Sequence, residues 1–319
     1  MRIAVLTSGG DAPGMNAAIR AVVRYATYND IEVFGIERGY QGLVNGDMLL
    51  MSRRSVSDII QRGGTKLKTA RCPEFHKYDT MRVAAEMLNG SGIDGLVVIG
   101  GDGSFRGLKD LHDHFHIKGI GIPGTIDNDL SYTDFTLGFD TAVNTVVSAI
   151  NNLRDTSSSH ERVSIIEVMG RKCGDIALYA GLAGGAEIVL VPEHKVDYDD
   201  ISARLLRNAK RGKQSAIIVL AEGACPLEEA MSELKARTNM SFRSTVLGHI
   251  QRGGAPSMAD RILASRCAVR AVDLLREGKG GRVVGIRNNA IVDYDVTAAL
   301  AMPRIVDERL YEIASILSL

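Results

Sequence analysis

Surplus charge is the first thing this chain lacks. Its 319 residues hold 38 acidic and 38 basic side chains, so the formal net charge is zero. That balance argues against nucleic acid or an anionic membrane as the main partner. Local arginine clusters can still meet small anions. Cysteine is scarce as well. Cys72, Cys173, Cys225 and Cys267 are far apart and make no C-x-x-C pair. This argues against a zinc site or a disulfide framework and points to a reducing, cytoplasmic setting. No apolar run approaches the ~20 residues of a membrane span. No basic-then-apolar leader precedes the strand-like MRIAVLTSGG, and there is no low-complexity tract. Proline is rare (7) and glycine abundant (34), which suits many strand-to-helix turns rather than disorder.

What is present is a repeated pattern, clearest from Gly95 to Asp129. An apolar run (Leu96–Ile99) ends in Gly100-Gly101-Asp102-Gly103-Ser104. A helical segment follows, and a second apolar run at Ile120–Ile122 ends in Pro123-Gly124-Thr125-Ile126-Asp127-Asn128-Asp129. Two buried parallel strands joined by a helix put both ends at one sheet edge, where open α/β folds bind ligands. Strand, glycine turn and helix also recur at Ile3–Thr27 and at Val163–Ala183. Strands are predicted at Ile31–Ile36, Ile188–Val191, Ala216–Ala221, Thr245–Ile250 and Arg282–Ile286. Helices are predicted at Val56–Gln61, Asp79–Asn89, Asp140–Leu153, Asp199–Lys210, Leu227–Thr238 and Asp260–Glu277. The segments Arg38–Leu43 and Asp155–His160 read as loops, and the tail from Asp295 to Leu319 reads as mostly helical. The expected fold class is α/β, with two Rossmann-like domains whose mainly parallel sheets face a cleft. The first sheet takes the Ile3, Val33 and Leu96 strands, the second those of Val163, Ile188 and Ile217.

Three carboxylates, Asp102, Asp127 and Asp129, converge on the central edge. The Gly100–Ser104 turn is no Walker A loop, because the G-K-[ST] ending is absent. It reads equally as a tight connection or as a phosphate cradle. An aspartate there repels phosphate unless a divalent cation bridges them, so a Mg²⁺–nucleotide is the consistent ligand. Asp127 and Asp129, at i and i+2, point the same way if the segment is extended. They read either as a solvated turn or as a site with a general base toward a hydroxyl. Arg162, Arg171, Arg243 and Arg252 sit near predicted strand ends or in loops and together suggest an anionic substrate. Arg20 and Arg24, one helical turn apart, offer a second anion site or a solvated helix face. His112, His114 and His116 spread around a helix and are expected to face solvent rather than a metal.

The segments TSGGDAPGMNAAIR, GGDGS, PGTIDND, DTSSSHER, MGR and LGHIQRGG together resemble the bacterial ATP-dependent 6-phosphofructokinase family, over essentially the whole chain. The resemblance implies transfer of a phosphoryl group from ATP to the 1-hydroxyl of fructose 6-phosphate, the committed step of glycolysis. It implies a larger ATP-binding domain (1–138 plus 251–300), a smaller sugar-phosphate domain (139–250 plus 301–319) and a homotetramer. Gly10, Arg71, Gly103 and Ser104 match the residues that hold the ATP phosphates. Tyr40, Cys72, Phe75, His76 and Gly107 match the nucleotide pocket, with Cys72 and His76 departing from its usual residues. Asp102 resembles the Mg²⁺ ligand and Asp127 the general base. Thr125 and Arg171 resemble the stabilisers of the transferring group. The sugar site takes Thr125 to Asp129, Met169, Gly170, Arg171, Glu222, His249 and Arg252. Arg162 and Arg243 resemble the pair that reaches the 6-phosphate from a neighbouring subunit.

The resemblance also implies an intersubunit site for ADP or phosphoenolpyruvate. Its matching residues are Arg20, Arg24, Arg53, Asp58, Arg154, Gly185, Glu187, Arg211 and Lys213. Gln214 and Ser215 stand where basic residues are expected, and Arg54 is an uncommon neighbour of Arg53, so weak or altered regulation is expected. Members that use pyrophosphate carry Asp after the metal aspartate and Lys before T-I-D-N-D. Here those positions are Gly103 and Gly124, which predicts ATP as the donor. Two rival readings are an NAD or lipid kinase with a G-G-D-G turn and a non-catalytic sugar-phosphate sensor.

Overall fold

A computed structural model describes residues 1–304 and 306–318. Ile305 and Leu319, part of the predicted helical tail, lie outside the described residues. The chain forms two compact units. The first takes Met1–Ile126, Leu130–Thr141 and Arg252–Arg304, and the second takes Asp127–Asp129, Ala142–Gln251 and Ile305–Leu319. Asp127–Asp129 therefore pack with the second unit, although the chain on either side belongs to the first.

The first unit opens with β1 (Arg2–Thr7), α1 (Met15–Tyr28), β2 (Glu32–Ile36), α2 (Gly39–Asn45) and β3 (Met48–Met51). It continues with α3 (Tyr78–Gly90), β4 (Gly95–Gly100), α4 (Asp102–Phe115) and β5 (Gly119–Pro123). The chain then enters α5 (Phe139–Ser159), which runs into the second unit. There follow β6 (Val163–Val168), α6 (Asp175–Ala183), β7 (Ile188–Leu190), α7 (Tyr198–Lys210), β8 (Ala216–Ala221), α8 (Leu227–Thr238) and β9 (Phe242–Val246). The first unit is completed by α9 (Met258–Arg276), β10 (Arg282–Arg287), β11 (Ala290–Asp295) and α10 (Val296–Ala301). The last described helix, α11 (Glu308–Leu317), belongs to the second.

The first sheet has the order β11-β10-β5-β4-β1-β2-β3, the second β7-β8-β6-β9. The fold is thus α/β with mostly parallel sheets, as the sequence predicts. β4, β5 and β8 are buried at every residue, which is why they read as unbroken apolar runs. Among the described residues, antiparallel strand pairing appears only where β3 and β11 close the ends of the first sheet. The register pairs Thr7 with Ile99 and Gly100 with Pro123. β1, β4 and β5 therefore end side by side, and their three turns share one edge. No described helix is long and apolar enough to cross a membrane.

Several sequence expectations fail for identifiable reasons. Arg38–Leu43, read as a loop, mostly lies in α2. Buried Tyr40 and Leu43 anchor that helix in the core despite two glycines. Val56–Gln61, read as a helix, is a series of turns, and the left-handed Asp58 (φ 54°) interrupts any helical run. Asp155–Ser159, read as a polar loop, continues α5. Its hydroxyls find partners there: Ser157 Oγ lies 2.6 Å from Ser164 Oγ, and Ser159 donates to the Asp155 carbonyl. The Thr245–Ile250 strand is displaced to β9, because Gly248 (φ 52°) begins a 3₁₀ turn over Gly248–Arg252. β3 and β11 were not anticipated.

One buried carboxylate fixes the ground beneath the central edge. Asp260 is 1% exposed. It accepts from Gly138 N (2.8 Å), Thr141 N (2.9 Å) and Thr141 Oγ1 (2.5 Å), and so holds the start of α5. Nearby, Thr136 Oγ1 donates to the Thr125 carbonyl at 2.6 Å. Burial pushes the Asp260 carboxyl above its usual range, and the hydrogen bonds oppose that push. Asp260→Asn places an amide donor against these N–H groups. It is expected to cost about 2–4 kcal/mol, read as a lower unfolding midpoint of the first unit.

Candidate active site

In the first unit, three turns at the shared edge carry Gly10, Asp102, Gly103, Ser104 and Thr125. The turn after β1 contains Gly9 and Gly10, both exposed, and Thr69 Oγ1 donates to the Gly9 carbonyl. The turn after β4 places Asp102 at the start of α4. Its carboxylate takes two bonds from Arg106, at 2.8 and 3.1 Å. Ser104 is buried in the first turn of α4, beside Gly9. A Cβ on Gly101 would lie 3.6 Å from Thr125 Cβ, so the turns after β4 and β5 touch.

The residues assigned to a nucleotide pocket fall into two groups. Tyr40 and Phe75 stack with centroids 4.1 Å apart, and Gly107 packs under both rings. Tyr40 donates to the Ser104 carbonyl at 2.6 Å, and burial pushes its phenol far above the ordinary value. Tyr40 and Phe75 belong to the hydrophobic core of the first unit. Cys72 is half-buried, and burial also raises its thiol. Arg71 and His76 are exposed, with His76 Nδ1 against the Pro73 carbonyl.

The second unit carries Asp127 and its partner Arg171. Asp127 has a side chain only 2% exposed, and Arg171 Nε lies 3.3 Å from its Oδ2. Arg171 is 65% exposed, so a buried carboxylate meets a cation that reaches solvent. The Arg171 main-chain N–H donates to Glu222 Oε1 at 2.8 Å, holding a left-handed residue (φ 53°) in place. Asn128 is also left-handed (φ 53°), and it donates to Asp175 Oδ2 at 2.8 Å. The Asp127–Asp129 segment is therefore kinked, not extended. The i, i+2 argument for two carboxylates pointing together does not hold.

The four arginines do not form one set. β6 and β9 run parallel with Ser164 opposite Arg243, so Arg162 and Arg243 lie where these strands start. Arg171 follows the far end of β6, and Arg252 belongs to the first unit. Six residues of β6 separate the two edges by about 20 Å. His249 is exposed in the 3₁₀ turn beside buried Gln251, whose Oε1 accepts from Met169 N at 3.2 Å.

Asp175, Gln251 and Asp260 had no role in the sequence reading. Gln251 had a weak signal, its place between His249 and Arg252. His112 is half-buried with Nδ1 3.1 Å from the Ile117 carbonyl, so only His114 and His116 face solvent as expected. Among the described residues no cluster of three or more His, Cys, Asp or Glu could hold a metal.

A family model described as phosphofructokinase matches residues 2–275. The chain belongs to the phosphofructokinase family. A Clostridium acetobutylicum relative named ATP-dependent 6-phosphofructokinase is 59% identical over 316 residues, covering 99% of each chain. A Clostridium botulinum relative of the same name is 58% identical over 318 residues, again covering 99% of each. Among solved structures, phosphofructokinase from Saccharomyces cerevisiae superposes with a TM-score of 0.90 at 33% identity. That match covers 99% of this chain and 48% of the yeast chain, so the chain spans about half its length.

Within this phosphofructokinase fold Arg154, Glu187 and Lys213 of the second unit form one ion-paired cluster. Glu187 is 2% exposed. Its Oε1 meets Lys213 at 2.7 Å and Arg154 at 3.2 Å, and its Oε2 accepts from Ile217 N at 2.6 Å. Arg154 also donates to the carbonyls of Gly184 and Gly185. Arg211 is exposed past the end of α7. In the first unit, Arg20 is half-buried and Arg24 exposed on α1. Burial, then repulsion from Arg24, lowers the Arg20 guanidinium. Arg53, Arg54 and Asp58 lie in the turns after β3.

Proposed function

We propose that this chain transfers the terminal phosphoryl group of ATP to the 1-hydroxyl of D-fructose 6-phosphate, giving fructose 1,6-bisphosphate and ADP. The observation that carries the chemistry is the Asp127–Arg171 pair. A buried carboxylate beside an exposed guanidinium suits a base that must work next to a negatively charged group. Asp127 accepts the proton as the 1-hydroxyl oxygen forms its bond to phosphorus and the bond to the leaving ADP breaks. Arg171 offsets the charge that develops on the transferring group, with Thr125 as a second donor. The larger domain (1–138 plus 251–300) would hold the donor through Gly10, Arg71, Gly103 and Ser104. The smaller (139–250 plus 301–319) would hold the sugar through Met169, Gly170, Glu222 and His249, together with Asp129 of the 127–129 segment.

Magnesium fits as a companion of the nucleotide rather than as a resident ion. Asp102 alone, at the start of α4, suits a cation that is bound by one or two carboxylates plus substrate phosphates. There it would neutralise phosphate charge. The assay is direct: ADP release from MgATP, measured with and without fructose 6-phosphate. The four free thiols agree with a cytoplasmic setting.

Donor choice gives a sharper test. A Cβ on Gly103 meets nothing within 4 Å, so aspartate fits there and the restriction is one of charge. On Gly124 it would lie 2.9 Å from Ile99 Cγ2, so lysine there must displace the core. Gly103→Asp is expected to fold normally and to raise the KM for ATP at least about 10-fold, through repulsion of the phosphates. Activity of the unaltered protein with pyrophosphate and none with ATP would contradict the assignment.

The effector cluster points to weak regulation. Glu187 already pairs with both Arg154 and Lys213, which leaves the trio a single net positive charge, and Gln214 and Ser215 add none. ADP and phosphoenolpyruvate should shift half-saturation by fructose 6-phosphate by less than the ~5-fold that marks ordinary coupling. Kinetics with each effector at physiological concentration checks this, and a strong shift overturns it.

A further inference from the structure

Arg252 lies in an unexpected place for a residue that serves only the acceptor. It belongs to the first unit, where its Nη1 donates to the Asp11 carbonyl at 3.3 Å. A Cβ on Gly10 would stand 2.1 Å from that Nη1 and 2.9 Å from Cζ. The guanidinium therefore lies against Gly10 through its Nη1 end, in the turn after β1. Gly10 has no left-handed φ that would demand glycine, and a side chain there would have to push the Arg252 guanidinium aside. Among the described residues Arg252 has no carboxylate partner. The same turn lies against Ser104, whose Oγ is 3.5 Å from where a Cβ on Gly9 would be. A half-buried cation with no carboxylate partner among the described residues thus sits on Gly10, the exposed glycine of this turn proposed to hold the donor phosphates.

We propose that Arg252 is a donor-side residue. Its guanidinium contacts the terminal phosphate of a nucleoside triphosphate held at Gly9–Asp11, before any sugar phosphate is bound. The proposal rests on the reading of the first unit as the ATP-binding part. A planar guanidinium suits this task, because it presents several donors to phosphate oxygens in a fixed fork. If the same group also meets the sugar phosphate, occupancy of one site changes the affinity of the other by a reciprocal factor.

The test is calorimetric titration with a magnesium-bound, non-hydrolysable ATP analogue and, separately, with MgADP, both without sugar phosphate. Arg252→Gln is expected to weaken the triphosphate analogue about 10-fold or more and ADP much less. Arg252→Lys should recover part of the loss. Gly10→Ala evicts the guanidinium, so it should mimic Arg252→Gln and add little in the double variant. Thermal melting verifies that each variant is folded. Unchanged analogue binding by Arg252→Gln, or fully additive losses in the double variant, overturns the proposal. If the unaltered protein binds neither nucleotide, the donor reading itself falls, and Arg252's role with it. If it binds them and Arg252→Gln binds them equally, only the role of Arg252 falls.

Discussion

Asp127→Ser is expected to lower kcat about 10³-fold while leaving the KM for fructose 6-phosphate within a few-fold. The size follows from removing a positioned base, which ordinarily supplies ~10²–10⁴-fold. The split follows from geometry. Asp127 is buried and has Arg171 Nε 3.3 Å from its Oδ2, while the Arg171 main chain is held separately by Glu222. Serine is smaller and uncharged, so it leaves that main-chain contact in place. Arg171 then keeps its position and still meets anions. A sensor that only binds sugar phosphates has no need of a base, so the same substitution would leave its single activity, binding, intact. Steady-state kinetics with a binding titration separates the cases. Turnover within a few-fold of the unaltered protein would remove Asp127 from the mechanism.

The second large effect concerns Arg162 and Arg243. Both stand where β6 and β9 begin, about 20 Å of strand away from the edge that carries Arg171. One substrate cannot meet both edges of the same sheet. If these arginines bind the 6-phosphate, they serve a site whose Asp127 and Arg171 belong to another copy. Arg243→Ala is expected to raise half-saturation by fructose 6-phosphate about 10–100-fold, the usual range for losing a charge-assisted contact. Mixing is the sharper test. Asp127→Ser protein keeps Arg243, and Arg243→Ala protein keeps Asp127. Mixed oligomers of the two contain sites with both groups intact. At low fructose 6-phosphate, dissociated and re-formed mixtures should gain activity that neither variant has alone. A mixture no more active than its parts would place both groups in one chain's site.

These residues differ in how plainly the sequence announced them. The strand–turn edges of the first unit were legible because apolar runs stop at glycines, and β4 and β5 end where the Gly100 and Gly124 turns predicted. Asp127 and Arg171 were legible through the family resemblance, but their mutual contact was not. Asn128 and Arg171 both adopt left-handed backbone, which no periodicity reveals. Asp260 was invisible for another reason. It reads as a charged residue early in a polar helix, and its burial depends on Gly138 and Thr141, more than a hundred residues earlier. α2 was lost because its glycines outweighed Tyr40 and Leu43, whose burial only the folded core explains. The split of the arginines between opposite strand ends appeared only with the register of β6 and β9.

ADP release and the identity of the sugar product together test the phosphoryl transfer. Purified protein is incubated with MgATP and fructose 6-phosphate, and ADP release is followed while the sugar product is identified by phosphorus NMR. The predicted result is ADP formed in step with a bisphosphate carrying its new ester at carbon 1, with Asp127→Ser protein nearly silent. ADP release that ignores fructose 6-phosphate, or a product esterified elsewhere, would contradict it.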